Sequence, residues 1–258
     1  MAAIISVWKQ IGETPLQAME RARKEYHLEN LNPACFTGRL DPMAQGVLIN
    51  LFGDAVKEHQ DTYNASNKVY RFHAVLGIST TSYDPMGSLV DIQEISNEQA
   101  LKFHNKMLNM KGKFIQAFPP CSSMRYKGRP LWWHSKHGSL PTVLPCKERE
   151  IFEVRAITPP VSIPVQAYRR GAISDIKDVI HFNGDKFNGD NIIREWRQLN
   201  PNILLWRVQY EVSVSSGTYI RSLVHDLGQQ IGIPAHASRI TRMSLKLNLS
   251  NGYNGSIA

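Results

Sequence analysis

The chain has 258 residues, 42% of them hydrophobic and 20% charged, so it can bury a sizeable core and wholesale disorder is excluded. Its 30 Lys and Arg against 22 Asp and Glu give a net charge of +8, which points to a polyanionic partner. No apolar run reaches the length of a membrane span, and the three cysteines are too few for a disulfide framework. We therefore expect an intracellular, cytoplasmic protein, with the nucleus or an organelle left open.

The first half of the chain predicts alternating helices and strands. Thr14 and Pro15 fit the N-cap and the first position of a helix that runs to about residue 26. A strand is predicted over 68–76 because apolar side chains recur there at every second position. A capping box at 96–99 then begins a helix that extends to about residue 110.

The second half continues this pattern after one irregular stretch. Residues 158–201 carry prolines, then an Asn, Gly and Asp cluster, then a short helical patch, and we interpret them as an insertion rather than a domain boundary. Alternation over 207–215 predicts a strand, and helical spacing over 220–231 predicts a helix. The sequence therefore indicates a single α+β domain over 1–258.

Positive charge is concentrated between Gln99 and Lys147. This stretch holds nine Lys or Arg and no acidic residue, with Tyr126, Trp132 and Trp133 among them. Cations mixed with planar rings suit phosphate contacts and base stacking. A solvated helix face followed by a core-facing Trp pair is the alternative, and composition alone leaves both open.

The most informative segment is the loop Thr-Gly-Arg-Leu-Asp-Pro-Met-Ala-Gln-Gly-Val-Leu over 37–48. Asp41 precedes a proline and is bracketed by Gly38 and Gly46, which predicts a carboxylate on a tight loop before an apolar run. Ordinary turn chemistry is the alternative, because Asp-Pro often begins a turn.

This loop resembles the signature G-x-x-L-D-P-x-A-x-G-x-L of the TruB family of tRNA pseudouridine synthases and matches it at every fixed position. Four further motifs follow in the family's order: Gly53-Asp-Ala-Val-Lys57; Lys68-Val-Tyr70 with Gly77, Thr80, Asp84 and Gly87; Gln116 to Gly128; and Ser216-Gly-Thr-Tyr-Ile-Arg-Ser-Leu-Val-His-Asp-Leu-Gly228. The resemblance extends from about Thr14 to Met243.

The resemblance implies a fold with a mixed, mainly antiparallel sheet core and flanking helices. It also implies an isomerase that flips a uridine out of the T-arm of tRNA (position 55) and converts it to pseudouridine. Asp41 would be the nucleophile and Arg221 its ion-pair partner. Tyr70 would be the third catalytic residue, as the ring that stacks on the target base and as a candidate for the proton transfers. A single carboxylate suits a reaction that consumes no water, and neither a metal nor a cofactor is expected.

Further substrate-binding residues follow from the same resemblance. Tyr219 and Met243 would line the pocket, and Lys68 would bind substrate beside Tyr70. Phe36 stands where the family often has a His that helps to recognise RNA, so stacking is kept and a hydrogen bond is lost. Contacts to the RNA backbone are expected instead from the basic stretch between Gln99 and Lys147, through Arg125, Lys127 and Arg129.

The expected partner is the T-arm stem-loop of tRNA, bound by a monomer. The chain stops soon after Met243, so no C-terminal RNA-binding domain is expected. Two other functions stay open: a pseudouridine synthase that acts on another RNA stem-loop, and a non-catalytic protein that binds or folds tRNA. The presence of Asp41, Tyr70 and Arg221 together argues against the last, because binding alone needs no nucleophile.

Overall fold

The computed structural model describes residues 1–248 and 254–257, and within them the fold is the expected α+β. The strands are β1 (Ala2–Lys9), β2 (Ala34–Thr37), β3 (Gln45–Gly53), β4 (Asn67–Leu76), β5 (Ile78–Thr80), β6 (Leu89–Ile92), β7 (Gly112–Ala117), β8 (Arg125–Tyr126), β9 (Arg129–Pro130), β10 (Cys146–Ala156), β11 (Val161–Pro164), β12 (Leu204–Val214), β13 (Ala235–Asn248) and β14 (Asn254–Ile257). The helices are α1 (Pro15–Glu25), α2 (Asp54–Ala65), α3 (Asn97–Leu108), α4 (Leu131–Lys136), α5 (Val165–Asn183), α6 (Gly189–Gln198) and α7 (Ile220–Ile231).

One large sheet forms the centre of the described structure, with strand order β1-β3-β13-β4-β12-β10-β7. Strands β2, β11 and β14 pair with β3, β12 and β13 at its margins. Within the described ranges the pairs are antiparallel except that of β3 with β13, which is parallel. The mixed, mainly antiparallel sheet core is therefore confirmed.

The helix boundaries follow the capping signals of the sequence. Thr14 and Gln17 form a complete capping box at the start of α1, and Ser96 and Gln99 form another at the start of α3. Each box satisfies backbone N–H groups that the first turn of a helix leaves without partners. None of the helices in the described part of the chain is both long and apolar enough to cross a membrane.

Helices cover both faces of the sheet. Phe72 of β4 and Tyr210 of β12 point to one face and pack with α3 and α7. Val75 and Leu205, from the same two strands, point to the other face and pack with α5 and α6. Successive residues of a strand alternate between faces, so one strand supplies two cores.

The prediction of an irregular stretch over 158–201 is wrong for most of its length, because the segment forms β11, α5 and α6. Apolar residues of α5 and α6 bury themselves against the sheet around Trp196. The strands on either side, β10 and β12, pair directly with each other, with Ala156 opposite Tyr210. Within the segment, β11 also pairs with β12, and the chain leaves the sheet only for α5 and α6 before it returns as β12.

Candidate active site

Asp41 lies on the loop that joins β2 to β3. An arginine side chain holds both ends of this loop through hydrogen bonds to main-chain carbonyls. Arg242 of β13 is fully buried and donates to the carbonyl oxygens of Gly38, at 2.8 Å, and Val47, at 2.7 Å. Gly46 has a φ of +119°, and a Cβ there would lie 2.2 Å from the Arg242 carbonyl oxygen, so a side chain does not fit. This contact fixes the loop against β13.

Arg221 reaches Asp41 from the first turn of α7. Its Nε lies 2.8 Å from Oδ2 of Asp41, so the pairing expected from the resemblance is present. The Arg221 side chain is 3% exposed, whereas that of Asp41 is 38% exposed. The cation is therefore fixed inside the protein, and the carboxylate opens to solvent.

The two terminal nitrogens of the guanidinium also donate hydrogen bonds. They donate to the carbonyl oxygens of Ser82, at 2.6 Å, and Cys121, at 3.1 Å. Asp84 is buried and places its Oδ2 3.7 Å from Nε. Burial lowers the pKa of Arg221, but the charges of Asp41 and Asp84 outweigh burial and leave that pKa above its ordinary value.

Asp84 is a site residue to which the sequence analysis gave no role, although it belongs to one of the quoted motifs. Its Oδ1 accepts from the Ser82 hydroxyl and from the Met86 N–H, the latter at 3.0 Å. Burial raises its pKa, and the nearby Arg221 opposes that rise. The arginine thus lies between two carboxylates, one exposed and one buried.

Tyr70 lies on β4 and is 8% exposed. It belongs to the same apolar cluster as Leu40 and Ala44, which flank Asp41 in the loop. Ile240 of β13 belongs to this cluster as well. The structure therefore brings Tyr70 together with the Asp41 loop and adds Ile240 as an apolar neighbour.

Tyr219 is the N-cap residue of α7, and Gln116 fixes its main chain. The Gln116 side chain donates to the Tyr219 carbonyl at 3.0 Å and accepts from its N–H at 2.8 Å. The Tyr219 ring meets Phe118 edge to face, with centroids 5.6 Å apart. Burial and, next, the charge of Asp41 raise the pKa of Tyr219, so its hydroxyl keeps its proton at neutral pH.

Two further residues expected to bind substrate have different positions: Lys68 lies beside Gly38 of the Asp41 loop, whereas Met243 lines a cavity on the other face of the sheet. Met243 lines a cavity with Arg71, on the face of β4 opposite Tyr70, so the structure does not bring it to the Asp41 loop. Lys68 is 2% exposed, and its ammonium donates to the carbonyl of Asn64 at 2.9 Å and to the Ser216 hydroxyl at 3.2 Å. A lysine so buried and engaged joins the last turn of α2 to the loop before α7.

Phe36 is half-buried on β2. It packs against the small core formed by Val7, Ala18, Ala22 and Leu48. Its ring is therefore partly used in holding α1 and β1 against β3. Only the exposed remainder of the ring is available for stacking on RNA.

The three cations Arg125, Lys127 and Arg129 are exposed on the β8–β9 hairpin. Lys127 and Gly128 both have positive φ at its turn, and Lys127 lies 5.5 Å from the Tyr126 ring centroid. Arg129 lies 5.5 Å from the Trp133 centroid. The chain leading to this hairpin includes Cys121, whose carbonyl accepts from Arg221, so the hairpin is connected to the Asp41 site.

Within residues 1–248 and 254–257, no group of three or more His, Cys, Asp or Glu side chains is arranged so that it could hold a metal ion. The arrangement around Asp41 is instead a carboxylate oriented by a buried guanidinium and flanked by two tyrosines. A carboxylate that is oriented and partly open to solvent has the geometry that a nucleophile requires.

Comparison with known proteins identifies the family. Residues 23–162 match the N-terminal domain of the TruB family pseudouridylate synthases, which is more than half of the chain. The chain belongs to this family. The matched segment includes Asp41, Tyr70 and the β8–β9 hairpin.

Individual relatives extend the similarity over most of the chain. The tRNA pseudouridine synthase B of Listeria monocytogenes is 27% identical over 242 residues, which are 94% of this chain and 66% of that protein. Its counterpart in Idiomarina loihiensis is 28% identical over 242 residues and is covered over 62% of its length. The chain thus spans a little less than two thirds of the curated relatives it matches.

Solved structures support the fold. A crystal structure of a Cbf5-Nop10-Gar1 complex contains a chain with a TM-score of 0.53 and 17% identity, matched over 94% of this chain and 48% of that one. The archaeal box H/ACA sRNP Nop10-Cbf5 complex gives a TM-score of 0.50, also at 17% identity, over 93% of this chain and 46% of that one. At this identity the similarity concerns the fold alone.

Proposed function

We propose that this protein is an isomerase that converts uridine to pseudouridine in the T-arm of tRNA, at position 55. The observation that carries the proposal is the Asp41–Arg221 pair, whose guanidinium is buried and whose carboxylate is open to solvent. The names of the curated relatives, tRNA pseudouridine synthase B, support tRNA as the substrate.

The geometry gives Asp41 the properties of a nucleophile. Arg221 holds Oδ2, while Oδ1 accepts no hydrogen bond from the part of the chain that the structure describes. Attack of that oxygen on C1′ of the uridine breaks the bond from C1′ to N1 of the base. The base turns, a bond from C1′ to C5 forms, the carboxylate is released, and the C5 proton is replaced by one on N1. No atom is gained or lost, so no water is needed.

The two tyrosines suit a base that has left its stack. Tyr70 and the Tyr219 ring approach the Asp41 loop from β4 and from the start of α7. Because the Tyr219 hydroxyl is protonated at neutral pH, it can donate a hydrogen bond to the turning base. Aromatic faces also recover part of the stacking energy that a flipped base gives up.

In this proposal the β8–β9 hairpin binds the RNA backbone. Its three exposed cations reach phosphates from a turn whose base is tied to Arg221 through Cys121. The exposed Trp132 next to it offers a further stacking surface. Lys68, by contrast, stabilises the site from inside.

We further propose that one catalytic domain carries this activity and that residues 158–201 are an insertion into it. The direct pairing of β10 with β12 supports this, since it leaves the sheet continuous without the inserted segment. A monomeric state stays a prediction. Location in the cytoplasm stays a prediction.

The test is to incubate the protein with an unmodified tRNA transcript and map pseudouridine at single-nucleotide resolution. Asp41→Asn should abolish product and leave tRNA affinity within about threefold, because the amide keeps the shape but is not a nucleophile. Asp91→Asn, at an exposed position of β6, is the matched control and should behave like the wild type.

Other outcomes distinguish the alternatives. Product in another RNA stem-loop but not in the T-arm would overturn the substrate and keep the chemistry. Tight tRNA binding with no product in any RNA would make the protein a binding or folding factor. Full turnover by Asp41→Asn would reject Asp41 as the nucleophile.

A further inference from the structure

The cavity lined by Met243 and Arg71 lies on the face of the sheet that points away from Tyr70. It has a volume of about 480 Å³, is open to solvent on one side and lies between α5 and strands β4, β12 and β13. This volume falls in the range typical of small-molecule sites. Its lining includes none of Asp41, Tyr70, Tyr219 and Arg221, so it is separate from the candidate active site.

The cavity is electrostatically positive. Three arginines and one carboxylate, that of Asp175, line it. Arg239 pairs with Asp175 at 2.9 Å, and Arg71 pairs with Glu211 at 2.9 Å. Arg207 has no hydrogen bond or ion pair from its side chain within residues 1–248 and 254–257. A half-buried guanidinium without a protein partner is suited to bind an anion.

The titration of His73, which also lines the cavity, agrees with this charge. Burial lowers the pKa of His73 to about 4, and the charges of Arg207 and Arg239 act in the same direction. His73 is therefore neutral at pH 7. The positive charge of the cavity comes from its arginines alone.

Local backbone structure directs Arg239 into the cavity. The register of β13 against β4 shifts between Ser238 and Thr241, and Arg239 within this bulge has a φ of +50°. Gly171 of α5 leaves room for the guanidinium, since a Cβ there would lie 3.2 Å from its Nη2. The bulge and the glycine together point this cation at the space under α5.

The remaining lining suits a planar ring. Trp8 of β1 is 46% exposed, which leaves part of its indole free for stacking. The side-chain amides of Gln45 and Gln209 add hydrogen-bonding groups, and Met243 adds an adaptable apolar surface. One cavity therefore contains the groups that a nucleotide needs. Guanidinium groups can bind its phosphate, an indole can stack on its base, and amides can hydrogen-bond to the base edge.

We propose that this cavity binds a nucleotide, with its phosphate on Arg207 and Arg239 and its base against Trp8. The nucleotide is either free or part of an RNA strand that passes around the edge of the sheet. The site does not depend on the function proposed above, because it shares no residue with the Asp41 pair.

The test is calorimetric titration of the protein with uridine monophosphate, uridine and inorganic phosphate. We expect saturable binding of the monophosphate and at least tenfold weaker binding of uridine. Arg207→Gln should weaken the monophosphate about tenfold or more, because a charged hydrogen bond is lost. Arg170→Gln, an exposed arginine of α5 outside the lining, is the matched control and should not weaken it.

Two further arms complete the design. Trp8→Leu tests the base contact at a half-exposed position, and it should weaken the monophosphate more than inorganic phosphate. A short oligouridine that displaces the monophosphate from the wild type assigns the site to an RNA strand, and failure to displace it assigns the site to a free nucleotide. Equal affinities of Arg207→Gln and Arg170→Gln, or of uridine and its monophosphate, would overturn the proposal.

Discussion

Replacing Arg221 with lysine separates orientation from charge at the Asp41 site. The guanidinium donates to Asp41, to the Ser82 carbonyl and to the Cys121 carbonyl, in three different directions. A lysine keeps the positive charge but ends in a compact ammonium that lacks the planar fork. It can therefore reach only part of this set of acceptors.

The size of the effect follows from the lost contacts. A hydrogen bond to a charged group contributes about 1.5 to 3 kcal/mol, so a poorly oriented Asp41 should cost roughly ten- to hundredfold in turnover. Each buried carbonyl left without a donor should lower the free energy of unfolding by about 1 to 3 kcal/mol. Because Arg221 is 3% exposed and has no open face for RNA, the affinity for tRNA should change by less than about threefold.

The assay is single-turnover pseudouridine formation at saturating tRNA, measured together with the tRNA Kd and with chemical denaturation. Arg155→Lys is the control, because that arginine also pairs with a carboxylate but is exposed on β10. It should leave turnover and stability nearly unchanged. Wild-type turnover in Arg221→Lys, with only a loss of stability, would show that the arginine is structural and refute the orientation argument.

Three further predictions concern the surroundings of this pair. Asp84→Asn removes the buried charge while keeping the acceptor for Met86, so turnover should fall by a factor of less than about ten, a smaller loss than in Arg221→Lys, with a small change in Tm. An unchanged rate would remove Asp84 from the site. The hairpin is neutralised by Arg125→Gln, Lys127→Gln and Arg129→Gln together. In tRNA-binding measurements between low and moderate salt, the plot of log K against log salt should become shallower by roughly one unit of slope per lost contact. An unchanged slope would place the phosphate contacts elsewhere. Burial lowers the pKa of Lys9 and Lys68 to about 7, so above pH 7 the unfolded chain binds more protons than the native one. The free energy of unfolding should therefore rise between about pH 7 and 9. Lys68→Met should reduce this rise, and a flat profile in the wild type would contradict the argument.

Local signals in the sequence were sufficient for elements that depend on local chemistry. The capping boxes at Thr14 and Ser96 place the starts of α1 and α3, because the side chains that define them lie within one turn. The alternation through β4 predicts which face holds Phe72, since period-two patterning survives wherever a strand is regular. The Asp41–Arg221 pair was expected only through the family resemblance, because 180 positions separate the two residues.

Features that depend on irregular backbone or on distant packing were missed. The strand β13 has two register shifts, after Ser238 and after Arg242, so parity along it does not tell which residue faces Tyr70. Ile240, and not Met243, belongs to the apolar cluster that contains Tyr70. The prolines before Val165 favoured an irregular interpretation, yet the apolar residues of α5 bury against the sheet and stabilise a helix of 19 residues.

The parallel pairing of β3 with β13 has a consequence for biosynthesis. Along the strand order of the sheet, β1 and β3 reach β4 only through β13, by way of Gln45 opposite Thr241. On the ribosome, those first strands and the Asp41 loop emerge about 200 residues before their partner, a delay on the order of ten seconds or more. During that interval the edge of β3 has no neighbour on one side, and the nascent chain is open to mispairing or to capture by a chaperone. The Asp41 loop would then gain its Arg242 contacts abruptly, when β13 joins the sheet, rather than gradually as the chain grows.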